Sequence, residues 1–189
     1  MGAFAFIGVG RKVVENHSQS YAYSPVARVL HWLIAGLILA QFIIGWTMPD
    51  VHRDTLPTGE IAWHLSVGAA IVAAMVLRII WRVTHAPEPA KLSPTLMFAS
   101  KATHLLLYGL LLAVPLAGWA NASARGWMVN LFGMLPFPAL AAKGSSVGMA
   151  LGDIHSVLAW VLFAVIALHI AAAFFHRFVL RDSVLQRML

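Results

Sequence analysis

The chain has 189 residues, 60% of them apolar and only 11% charged, with a mean hydropathy of +0.80. A soluble domain carries nearer to about 25% charge, so this balance excludes an ordinary soluble enzyme and places the chain in a membrane. The absence of cysteine excludes structural disulfides, thiolate-held iron–sulfur clusters, cysteine-ligated haem and covalent haem attachment.

The first 23 residues open on a short apolar run whose cations, Arg11 and Lys12, follow it instead of preceding it. That order is wrong for a secretory signal peptide. Residues 1–23 are therefore read as a cytoplasmic or interfacial leader, free to be disordered, and residues 24–189 as one membrane domain. Ser24-Pro25 suits the start of a helix, and the uncharged run from Val29 to Met48 is long enough to span. A charged loop leads to a second span that begins near Trp63 and His64 and ends with Arg78 and Arg82. Arg82 can reach the interface along its own stem, whereas Arg78 lies deeper and calls for an anionic partner.

Ser93-Pro94 leads the third span, which is apolar from His104 and contains Pro115, a position where a kink is expected. The stretch from Gly126 to Asp153 is apolar but broken by Gly and Pro, and is read as an interfacial cap on the bundle. The fourth span is expected from His155 to about Val179. All seven acids are placed in loops or tails on this reading, which argues against an ion-coupled transporter. Four spans put both termini and the middle loop on one side, together with ten of the thirteen Lys and Arg residues. The positive-inside rule then makes both termini cytoplasmic, and the net charge of +6 needs no nucleic acid to explain it.

The chemistry lies in the histidines. His155 and His169 are fourteen positions apart on one helix, about 21 Å along its axis and within about 40° of one face. Helix direction puts His31 at the cytoplasmic level with His169, and His64 at the outer level with His155. Two facing imidazoles at one level suit the axial positions of a b-type haem, while zinc would want three or four ligands together. Gly45 and Gly68 offer room at the outer level, and Arg78 is a cation able to pair with a haem propionate. His104 opens the third helix at the cytoplasmic level, within reach of a propionate or a quinone, or simply of the interface. His176 reads as interfacial, and His17, His52 and His85 as loop residues.

The stretch YSPVARVLHWLIAGLI, the WHLSVG that opens the second span, GWMVNLFGMLP after the third, and the two histidines of the fourth followed by FFHRFVLRDSVLQRM resemble the bacterial cytochrome b561 family over residues 21–189. The resemblance implies an all-α, integral membrane four-helix bundle enclosing two haems, with His31, His64, His155 and His169 as ligands, in a bacterial inner membrane. It further implies passage of electrons from superoxide to ubiquinone, or service as the cytochrome b anchor and conduit of a partner dehydrogenase or reductase. Arg125 and Lys143 in the outer loop are the cations expected to steer an anion.

Overall fold

A computed structural model describes residues 23–52, 54–86 and 93–189. The expected leader, apart from Tyr23, lies outside the described residues, as do Arg53 and the loop cation Lys91.

Four long helices account for most of the chain: α1 (Pro25–Thr47), α2 (Glu60–Thr84), α3 (Pro94–Ala124) and α4 (Ser146–Phe175). Each is long and apolar enough to cross a membrane. Serine caps start three of them. The Ser24, Ser93 and Ser145 hydroxyls accept from the backbone N–H three residues on, and proline occupies the first helical position of α1 and α3. The fourth, α2, opens instead on Gly59, whose φ of 58° favours glycine, followed by Glu60 at the positive end of the helix dipole.

The helices follow one another in space. Helix α1 packs on α2, α2 on α3, and α3 on α4, but no Cα of α1 comes within 8 Å of one in α4. Across the bundle, α1 and α3 stay similarly apart, as do α2 and α4. Burial follows the same pattern. The two central helices bury seven and eight residues, whereas α1 buries Ile34 alone and α4 only Gly148 and Leu162. Exposed apolar side chains on α1 and α4 match hydrocarbon. Close packing, more than any flight from water, must then hold the helices together.

Two expectations about boundaries are corrected. Helix α4 begins at Ser146, nine residues before His155, and includes Gly148 and Gly152. A Cβ at Gly148 would lie 2.7 Å from the Ala124 methyl, and one at Gly152 2.8 Å from the Asn121 amide. These glycines are not breakers; they are the small residues that let α3 and α4 cross closely. Two of the acids therefore lie on helices: Glu60 opens α2 and Asp153 sits in α4, both exposed.

The cap proves shorter than expected. It holds a two-stranded hairpin, β1 (Asn130–Leu131) paired with β2 (Leu135–Pro136), whose first strand packs on α2. Helix α3 runs through Pro115 without a break. Beyond α4 the chain makes one π turn, His176–Leu180, and folds back. Tyr23 N–H donates to the Arg187 carbonyl, so the start of α1 and the tail share one end of the bundle, the terminal end.

Candidate functional site

At the far end, His64 on α2 and His155 on α4 face each other with ring centroids 5.9 Å apart and planes at 80°. The ring of His155 is held by its Nδ1, 2.8 Å from the Val114 carbonyl. A carbonyl only accepts, so Nδ1 carries the proton and Nε2 keeps its lone pair, the state a metal ligand requires. Glycine makes the space. A Cβ on Gly118 would sit 2.9 Å from His155 Nδ1, and one on Gly45 3.4 Å from His64 Cε1. Gly45 and Gly68 both line the apolar cleft between the rings, as expected from their spacing.

At the terminal end, His31 on α1 and His169 on α4 lie with centroids 6.5 Å apart and planes at 31°. Arg78 stands beside them. Its Nε donates to the Tyr108 hydroxyl at 3.2 Å and its Nη1 to the Ala27 carbonyl at 3.2 Å. No carboxylate pairs with it among the described residues. His104 comes nearer than its rank in the sequence suggested, 5.5 Å from His169 between centroids, with its Nδ1 donating to its own helix at Ser100.

Both pairs thus bridge helices whose backbones stay apart. Metal–imidazole bonds of about 2 Å on each side place two ring centroids about 6 Å apart, close to both spacings. No three His, Cys, Asp or Glu side chains converge among the described residues. A two-ligand site suits an iron whose other ligands come from a porphyrin, and does not suit zinc. Among the described residues, the buried Nδ1 atoms of His31 and His64 lack partners, as does Gln41 Oε1.

The remaining expectations sort as follows. Arg125 is tied into the far-end loop: Nη1 donates to the His52 carbonyl, Nε to Asn121 Oδ1, and the guanidinium lies 5.3 Å from the Trp127 ring centre. Lys143 is exposed, with its stem over Gly126. His52 is exposed, and His85 stacks on Trp81 at 3.8 Å. His176 is not simply interfacial, because its Nδ1 meets Asp182 Oδ2 at 2.6 Å. Burial would raise the Asp182 carboxyl, but the hydrogen bonds from His176 and the Val184 N–H outweigh this and hold it below the usual carboxylate range. Gln41 and Gly118 carry weight that the reading by motif missed. A lone amide in an apolar span was the available signal for Gln41.

Comparison with known proteins gives the family. The family model for prokaryotic cytochrome b561 matches residues 22–189. Cytochrome b561 homolog 2 of Escherichia coli is 31% identical over 171 residues, covering 88% of this chain and 90% of that protein. The probable superoxide oxidase CybB of Yersinia pestis is 31% identical over 173 residues, 88% and 95% of the two chains. Cytochrome b562 of Cereibacter sphaeroides is 29% identical over 178 residues, 91% and 98% of the two. The chain belongs to the prokaryotic cytochrome b561 family: it is a multi-pass bacterial membrane protein for electron transfer with b-type haem.

Proposed function

We propose that this cytochrome binds two haems at two levels of the membrane, one between His64 and His155 and one between His31 and His169. The single observation that carries the reading is the pair of imidazole couples, each spanning helices with no close backbone contact. Bound haem would supply one-electron redox chemistry, and the protein supplies ligands, orientation and a dry surround. Val114 fixes the His155 tautomer, Gly45 and Gly118 keep the far-end rings accessible, and Arg78 offers its charge to a haem propionate at the terminal end. With both termini cytoplasmic by the split of basic residues, the His64–His155 level is the outer one, and electrons move inward.

The donor at the outer face is superoxide and the acceptor ubiquinone. Two superoxide ions each give up one electron and leave as dioxygen, and one quinone takes both electrons with two protons to become quinol. A haem held by a pair of these histidines would offer one-electron chemistry, which favours partners that exchange single electrons.

Stopped-flow mixing of the purified cytochrome with superoxide, with and without ubiquinone, tests this. Fast haem reduction and one quinol per two superoxide ions are expected. The rate should fall with salt, because attraction of the anion by Arg125 and Lys143 is screened over about 10 Å at 0.1 M. Slow reduction, or no quinol, would favour a conduit subunit for a partner dehydrogenase or reductase. The engagement of Arg125 in loop contacts speaks for that second reading.

A further inference from the structure

The three buried polar side-chain atoms without a partner among the described residues are His31 Nδ1, Gln41 Oε1 and His64 Nδ1. Two of them meet in one place. His64 turns its Nδ1 edge toward α1, where a Cβ on Gly45 would lie 3.4 Å from Cε1 and 3.7 Å from Nδ1. Gln41 is one helical turn before Gly45, so the two share a face of α1. Its Nε2 donates to the backbone carbonyl of His64 itself at 3.1 Å, which fixes the amide beside that residue. Swapping the amide ends would set oxygen against oxygen, so Oε1 has to be the acceptor left over. Gln41, Gly45, His64 and Gly68 all line the same cleft, and even a Cβ on Gly68 would stand 3.6 Å from the amide nitrogen.

A histidine that ligates through Nε2 carries its proton on Nδ1, and that N–H ordinarily goes to a carboxylate, a carbonyl or water. His155 meets this need with Val114, and His64 has no backbone acceptor. We propose that Gln41 Oε1 is the acceptor for His64 Nδ1–H, reached by a small turn of the amide or through one buried water. Gln41 is then a positioning residue that sets the tautomer of His64 and the reduction potential of the outer haem. A buried site with one donor and one acceptor unmet is polar enough to hold a water, and leaving both unmet costs as much as losing a hydrogen bond on each side. Hydrogen bonding at Nδ1 makes the imidazole a stronger electron donor, which favours oxidised iron. Among the described residues no side-chain amide bonds near His31 as Gln41 does at His64, so the effect belongs to one haem only.

This inference rests on the reading of His64 as an axial ligand, and the experiment separates the two. Redox titration of the purified holoprotein, followed optically, is run on wild type, Gln41→Leu, Gln41→Glu and His64→Ala. The His64→Ala protein should lack one haem and so identify the outer potential. Its keeping both haems would overturn the ligand reading. Gln41→Leu should bind two haems and shift the outer reduction equilibrium about tenfold toward the reduced state, which is about 59 mV upward, with the inner one unmoved. Gln41→Glu keeps an acceptor oxygen and should hold the outer potential at or below that of wild type. A merely structural role would not give that contrast. An unmoved outer potential in Gln41→Leu, or an upward shift in Gln41→Glu equal to that of Leu, would overturn the role of Gln41. If Gln41→Leu fails to load haem, Gln41→Met, closest in shape, carries the same expectation.

Discussion

The two histidine levels share a helix and each pairs two imidazoles, yet their surroundings differ in kind. Around His64 and His155 the neighbours are glycines, a backbone carbonyl and one amide, with no ion pair to either ring among the described residues. Around His31 and His169 stand the Arg78 cation, the Tyr108 hydroxyl that it grips, and a third histidine, His104. The far-end level is organised by space and by the hydrogen bond on His155, the terminal-end level by charge. A fixed cation disfavours oxidised iron beside it, whereas hydrogen bonding at Nδ1 favours it. On the proposed reading the outer centre therefore has the lower potential, so that electrons run inward downhill.

The comparison breaks most severely at Gly118. A Cβ there would come 2.9 Å from His155 Nδ1, closer than real side chains approach. Gly118→Val should turn the His155 ring from Val114 and weaken outer haem binding about 10- to 100-fold, measured by haem retention on dilution. The inner haem should stay. Loss of both haems together would mean that the two levels are not separable. Gly45→Ala, whose new methyl meets His64 Cε1 at ordinary contact, should be much milder.

Arg78 sharpens the other side. Replacing it by Gln leaves a donor for Tyr108 but removes the charge, and the inner potential should fall by about 30–60 mV, a three- to tenfold change in the reduction equilibrium. Redox titration reads this directly, and an equal fall at both centres would show that the charge is not local.

The smallest effect concerns the tail near the inner level. The folded Asp182 carboxyl lies below its ordinary range, so its pairing with His176 stabilises the tail fully above about pH 4 and is lost as pH falls through the lowered value. Asp182→Asn should remove about 0.5 kcal/mol at neutral pH, as partly exposed pairs do, seen as faster amide exchange at Asp182 and Arg187. Unchanged exchange would leave the pair without a stabilising role.

Much of this was legible in the sequence because the signals are periodic and long. Twenty uncharged residues declare a span, and a fourteen-residue interval on a helix declares one face. The start of α4 was not legible. Gly148 and Gly152 carry the same letter as turn residues, and only the nearness of Ala124 and Asn121 reveals that they serve packing. Asp153 was read as a loop acid for the same reason. The depth of His104 could be placed, but not its nearness to His169, since that depends on how α3 rotates about its own axis. Gln41 was visible as a letter, yet its meaning needed the carbonyl that it meets on another helix.

On the proposed reading each level holds one haem through its own pair. The most direct measurement is haem per chain, with reduced spectra, in purified His155→Ala and His169→Ala. One haem is expected in each variant, with a different half of the wild-type spectrum missing from each. Two haems retained in His169→Ala, or the same spectral component lost from both, would contradict it.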